Sequence, residues 1–177
     1  MRQNPQQQLQ DYFLQHLYDE RVPVDIYLTS GICLTGEIAG FDPYVILLSG
    51  RGIIQQVYKH GASTIVPREQ IDFRVPEDAL DYQGTQKGRV PFNMQDQFLK
   101  QLRQEQVTVK VYLANGIMLP KRRVHSYDQY AVMFHDLTSD SGVLHMTYKS
   151  VIGTIQPPPG FKPKLLFPVR EVDLVVA

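Results

Sequence analysis

The chain has 177 residues, 43% of them hydrophobic and 20% charged, which leaves room for one large domain or two small ones of about 70–80 residues. Its 18 Lys and Arg balance 18 Asp and Glu, excluding a broadly basic nucleic-acid-coating protein and leaving only local basic patches. The single cysteine, Cys33, excludes an intramolecular disulfide and a CxxC metal site, and fits a reducing compartment. MRQNPQQQLQ has no apolar core, and no stretch approaches about 18 apolar residues, so the expectation is a cytoplasmic protein with no signal peptide, membrane helix or membrane partner.

Leu9, Phe13, Leu14 and Leu17 fall at helical spacing and predict a short amphipathic helix. Val22, Val24, Ile26 and Leu28 then alternate with polar residues, the period of a half-buried strand. A turn at Thr29-Ser30-Gly31 leads to short strands at 32–41, 44–49, 53–59 and 62–66. Residues 76–92, polar and bounded by Pro76 and Pro91, read as a linker. The same grammar then returns. Met94, Phe98, Leu99 and Leu102 predict a second helix, and Val107, Val109, Val111 and Leu113 a strand. Asn115-Gly116 is a strong hairpin signal, and strands follow at 117–126, 130–136, 143–149 and 152–156. Beyond Pro157-Pro158-Pro159-Gly160, residues 161–177 form an apolar extension, expected to pack as an extra strand on the body or on a neighbour.

The two halves are a diverged duplication. Residues 9–28 align with 94–113 at an offset of 85; Phe41-Asp42-Pro43-Tyr44 meets Tyr127-Asp128-Gln129-Tyr130 at 86, and Val57-Tyr58-Lys59 meets Thr147-Tyr148-Lys149 at 90. The growing offset places small insertions after Leu119 and around 136–143. One helix and five short strands per copy predict a mainly β protein of two small, strongly bent antiparallel barrels, each preceded by a helix. The expected units are a first domain at 1–75 and a second at 93–160. Such small barrels leave edge strands unpaired, which oligomerisation would cover.

The segment LQDYFLQHLYDERVPVDIYLTSGICLTGEIAGFDPYVILL, with QQVYKHGASTIVP after it, resembles Hfq, the bacterial member of the Sm/LSm RNA-binding proteins. MQDQFL, VYLANGI, YDQY and TYKS carry a weaker resemblance in the second copy. The resemblance implies Sm-like (SH3-like) barrels in a tandem Hfq, three chains supplying a six-unit ring, and single-stranded RNA (small RNAs and messenger RNAs) as partner. No nucleophile–base motif, phosphate loop or zinc signature appears in the sequence, so no cofactor, metal or catalytic residue is expected.

On the uridine-binding face of the family, an aromatic ring stacks the base, an amide reads its edge and a cation sits near phosphate or carbonyl oxygen. The matching residues are Gln10, Tyr44, Lys59 and His60 in copy one, and Gln95, Gln129, Tyr130 and Lys149 in copy two. Pro43 replaces the family's glutamine in copy one, and Ser150 its histidine in copy two. The face that takes adenine-rich RNA matches Tyr27, Gly31, Ile32, Leu34, Gln55 and Thr64 in copy one. In copy two it matches Tyr112, Asn115, Gly116, Ile117, Leu119 and Thr154. On that face Cys33 or Met118 replaces a lysine, and Thr35 or Pro120 a glutamine. Of the family's arginine-rich rim only Arg21 and Arg103 remain.

Residues 1–76 carry 6 basic and 8 acidic groups, and residues 93–160 carry 7 and 5. The one basic run, Lys121-Arg122-Arg123, reads as a solvated turn or a substitute basic site. Asp42 and Asp128 read as turn-shaping residues rather than acids of a catalytic site. His125, His135 and His145 lie on different predicted strands without a thiol or acidic cluster, a poor metal set. Cys33 reads as a small half-buried hydrophobe. The rival to an RNA chaperone is a ring scaffold with weakened RNA affinity that binds a protein partner; a metal protein or enzyme built on the histidines is a third reading.

Overall fold

A computed structural model describes residues 9–75, 94–140 and 142–164. The expected linker at 76–92 and the extension beyond Lys164 lie outside the described residues. Helix α1 (Leu9–Asp19) buries Leu9, Phe13, Leu14 and Leu17, as their spacing predicts. It is followed by β1 (Pro23–Leu28), β2 (Cys33–Phe41), β3 (Val45–Gly50), β4 (Ile53–Tyr58) and β5 (Ala62–Pro67). Copy two repeats the order as α2 (Met94–Gln104), β6 (Val109–Leu113), β7 (Met118–Tyr127), β8 (Ala131–Asp136), β9 (Leu144–Tyr148) and β10 (Ile152–Gln156). A 3-10 turn precedes each last strand, at Lys59–Gly61 and Lys149–Val151.

Both helices stop in the same way. Val22 N donates to Leu17 O at 3.0 Å and Arg21 N to Tyr18 O at 3.3 Å, with Arg21 at φ 51°. Val107, Gln106, Leu102 and Arg103 repeat the pattern at 3.0 and 3.2 Å, with Gln106 at φ 53°. This is the paired hydrogen bonding that closes a helix through one left-handed residue, made here without glycine. The β1–β2 and β6–β7 turns do use glycine, Gly31 and Gly116 both standing at φ 89°.

The long second strand of each copy bends at a bulge, between Ile38 and Gly40 in β2 and between Val124 and Ser126 in β7. That bend lets one strand serve both walls of a small curled sheet. The order β5-β1-β2-β3-β4 results, and β10-β6-β7-β8-β9 in the second copy. The two are not separate closed barrels. β5 pairs antiparallel with β9, Thr64 opposite Thr147 and Ile65 opposite Met146, giving one open ten-stranded sheet.

The junction accounts for a contrast in burial. In β9, Leu144, Met146, Thr147 and Tyr148 are buried, whereas in β4 every residue except Val57 is exposed. Tyr148 is 6% exposed and its counterpart Tyr58 is 53% exposed. Among the described residues two free edges remain, β4 of copy one and β10 of copy two. Behind each helix a later aromatic packs edge-on: Phe73 on Phe13 at 5.4 Å and Phe161 on Phe98 at 5.8 Å. Gln101 fixes the second of these returns, donating to Lys162 O at 3.0 Å and accepting from Lys164 N at 2.7 Å.

Candidate RNA-binding site

The β2–β3 and β7–β8 turns each present a tyrosine. Asp42 Oδ1 accepts from Tyr44 N and Val45 N, both at 2.7 Å, and Asp128 Oδ1 accepts from Tyr130 N and Ala131 N at 2.7 Å. Both aspartates shape turns, and both tyrosine rings are left exposed, Tyr44 at 76% and Tyr130 at 49%. The backbone then ties each turn to its lysine: Lys59 N donates to Tyr44 O at 2.8 Å, and Lys149 N to Tyr130 O at 2.7 Å. The backbone thereby holds the exposed tyrosine and the lysine as hydrogen-bonded neighbours in each copy.

Each lysine is half or fully buried and leans over an aromatic ring, Lys59 Nζ at 5.7 Å from the Phe41 centroid and Lys149 Nζ at 5.8 Å from that of Tyr127. Burial lowers the pKa of both; Asp11 and Asp42 oppose the shift at Lys59, and Asp96 and Asp128 oppose it at Lys149. Lys149 Nζ also donates to Gln95 Oε1 at 2.9 Å and lies 3.5 Å from Asp96. Lys59 Nζ lies 3.9 Å from Asp11. His60 is exposed, its ring 5.4 Å from that of Tyr58.

The two copies meet at this face. Gln10 N, in the first turn of α1, donates to Asp128 Oδ2 at 3.4 Å across 118 residues of chain. First-turn amides of a helix have no partner within it, so a carboxylate there satisfies one and faces the positive end of the dipole. Burial raises the pKa of Asp128, opposed by the amides of Tyr130, Ala131 and Gln10 and by Lys149. Asp42 has no such cover, and the amides of Tyr44 and Val45 lower its pKa. Gln10, Asp128, Gln129, Tyr130 and Lys149 therefore belong to one junction, while Tyr44, Lys59 and His60 stand at the free β4 edge. Sequence reading had sorted these residues by copy and missed the pairing of α1 with the Asp128 turn.

On the opposite face Tyr27, Gly31, Ile32 and Gln55 are exposed, as are Asn115, Gly116, Ile117 and Thr154. Leu34, Tyr112 and Leu119 are half-buried. Thr64 is different: it is 5% exposed, with its hydroxyl 3.3 Å from that of Thr147 at the junction between the copies. Asn115 Nδ2 donates to Thr29 O at 3.2 Å, a further tie between the copies. Rim residue Arg21 is exposed and Arg103 half-buried.

Two expectations need correcting. Cys33 is exposed rather than half-buried, because it opens β2 on the outward side. Lys121-Arg122-Arg123 lies within β7 and not in a turn. Arg122 is buried, its Nη1 2.6 Å from Asp136 Oδ1 and from Pro120 O. His145 Nε2 lies 3.7 Å from the same Asp136, while His125 and His135 stack on each other at 4.9 Å.

A short helix over a bent five-stranded antiparallel sheet, made twice and joined edge to edge, defines a protein of two Sm-like units. The family model for Hfq protein matches both, over residues 9–72 and 94–162. The chain belongs to the Hfq family. Among solved structures it is similar to the pleiotropic translational regulator Hfq, at 30% identity over 32% of this chain and 95% of that one, with a TM-score of 0.32. An Hfq protein from Anabaena sp. is similar at 27% identity over 32% of this chain and 90% of its own, with a TM-score of 0.30. No helix among the described residues is long and apolar enough to cross a membrane.

Proposed function

We propose that this chain is a tandem Hfq-like RNA chaperone of the cytoplasm, acting in post-transcriptional regulation by small RNAs and messenger RNAs. Three chains close head to tail into a six-unit ring, and its helix-bearing face captures single-stranded, uridine-rich RNA ends. The observation that carries the reading is the composite junction, where the α1 amide of Gln10 meets the Asp128 turn that presents Tyr130 beside Lys149. The same parts exist at the free edges, with Tyr44, Lys59 and His60 at one and Gln95 at the other. Pairing β4 of one chain with β10 of the next would set Gln95 toward the neighbour's Asp42 turn, as Gln10 stands toward Asp128.

The repeat also predicts a register for that pairing. Val57 corresponds to Thr147 and Thr154 to Thr64, so the Thr64–Thr147 pair predicts Thr154 opposite Val57 of the neighbouring chain. Such a head-to-tail contact uses different surfaces on each partner and forms a ring when the rotation closes. Binding is non-covalent throughout. The tyrosine stacks a uracil, glutamine amides read its edge, and the half-buried lysine meets carbonyl or phosphate oxygen. Stacking contributes about 1–3 kcal/mol per base, so six pockets holding one strand give useful avidity. Adenine-rich RNA on the opposite face would use Tyr27, Ile32 and Gln55 with Tyr112, Asn115 and Ile117, and Arg21 and Arg103 would be the remaining rim contacts.

Replacing Lys59 and Lys149 together by alanine should abolish uridine-hexamer binding while leaving the ring intact. Unchanged affinity in the double variant would remove this face from the account.

A further inference from the structure

The tyrosine-bearing turns of the two copies share their backbone bonds and differ in the side chains set around them. Between aspartate and tyrosine stands Pro43 in copy one and Gln129 in copy two. Both are exposed, and Asp42 and Asp128 hold their turns with matching pairs of amide bonds at 2.7 Å. The residue after the lysine differs as well: His60 in copy one, Ser150 in copy two, both exposed. One scaffold thus carries two different sets of groups beside its stacking ring.

Proline has no side-chain donor or acceptor, whereas a glutamine amide has both and pairs with two neighbouring groups on a base edge. In copy one the tyrosine is therefore accompanied by a pyrrolidine ring and by His60, whose own ring lies 5.4 Å from that of Tyr58. Rings bind by stacking, and stacking tolerates any sequence because every base has a face. In copy two the tyrosine is accompanied by an amide and a hydroxyl. Such groups favour a base whose edge matches them, since a mismatched edge is left unpaired on desolvation. The β5–β9 pairing places the two kinds of turn in adjoining units of one sheet.

We infer that the two pockets divide recognition between them: the Gln129–Tyr130 pocket selects uracil, and the Pro43–Tyr44–His60 pocket stacks any base. The inference rests on the uridine reading and its three-chain ring. It narrows the ligand to single strands with uridine at every second position, the base between being unrestricted.

The test uses the full chain, freed of nucleic acid, and four labelled RNA hexamers titrated by anisotropy: all uridine, all cytidine, alternating UCUCUC and block UUUCCC. The last two share a composition, so six equal pockets would bind them alike. With alternating pockets, UCUCUC puts uracil in all three selective ones and UUUCCC in two at most. UCUCUC should bind within about twofold of the uridine hexamer, UUUCCC at least about threefold more weakly, and the cytidine hexamer weakest of all. Pro43→Gln should extend selection to the second pocket and weaken UCUCUC at least about threefold relative to the uridine hexamer. Gln129→Pro installs the residue that the copy-one turn already carries, and should bring the cytidine hexamer within about twofold of the uridine hexamer. Equal binding of UCUCUC and UUUCCC by wild type, or an unchanged ratio of UCUCUC to uridine hexamer in Pro43→Gln, overturns the inference; with uridine still preferred over cytidine, the uridine reading stands. A uridine hexamer that fails to bind, or binds no better than the cytidine hexamer, overturns both.

Discussion

Removing the Asp128 carboxylate tests whether the junction between copies is an energetic feature and not a mere contact. In Asp128→Ala three amides lose their acceptor: Tyr130 N, Ala131 N and Gln10 N. Ala131 and Gln10 are 0% and 7% exposed, so water cannot replace the bond at either. A buried donor left unsatisfied costs about 1–3 kcal/mol, and deleting a buried carboxylate returns part of its desolvation. The net expectation is a loss of about 3 kcal/mol, or about 6–12 °C in melting temperature for a chain of this size. Asp42→Ala removes two bonds of the same 2.7 Å length, but from an exposed turn where water substitutes, and should cost far less. Asp128→Asn keeps one oxygen for the turn and loses only the α1 tie, so it should fall between. The pH dependence follows from the raised pKa of Asp128: the folded state holds the proton more tightly, so this group's contribution falls as pH rises from about 4 through the folded value. Urea unfolding of the three variants measures all of this. Equal losses in Asp42→Ala and Asp128→Ala would refute the reasoning.

Thr154→Lys places a charge where β10 would meet Val57 of the next chain, while Thr154 is exposed in the single chain. The mass by light scattering should drop from three chains to one with the circular dichroism unchanged. Asp136→Ala strands the Arg122 guanidinium, whose side chain is 5% exposed, and should cost about 3–5 kcal/mol in urea unfolding; loss of under about 1 kcal/mol would contradict the ion pair. Burial holds His125 and His145 near pKa 4, below the ordinary 6.5 of an unfolded histidine. Between about pH 6.5 and 4 the unfolded chain therefore binds more protons, and stability should fall as pH drops through that window. At pH 5 the loss is about 2 kcal/mol per histidine, and urea midpoints of wild type against His145→Gln measure it.

The regular elements were legible because period does most of the work. Alternating Val22 to Leu28 and Val107 to Leu113 leave little choice but a strand with one face buried, and the helix spacing is equally plain. Helix ends were less so, since Arg21 and Gln106 occupy the left-handed position where glycine is the usual signal. The internal duplication located Asp42, Tyr44, Lys59 and their counterparts in register. What local pattern could not supply was which edge each strand finds. β9 pairs with β5 of its own chain, a choice set by the whole sheet, and from it follow the burial of Thr64, the cover on Tyr148 and the Gln10–Asp128 bond. The Arg122–Asp136 pair was hidden for a related reason: it crosses two strands whose register depends on a bulge. Phe73 lies beyond the last predicted strand of copy one and Phe161 opens the apolar extension, and each returns to the back of its helix.

The central claim is that this tandem Hfq-family chain captures uridine-rich single strands. It is tested most directly by anisotropy titration of nucleic-acid-free protein with labelled uridine and cytidine hexamers at near-physiological salt. The account predicts saturable submicromolar binding of the uridine hexamer and markedly weaker binding of the cytidine hexamer. Failure of the uridine hexamer to bind at tens of micromolar, or equal binding of both, would contradict it.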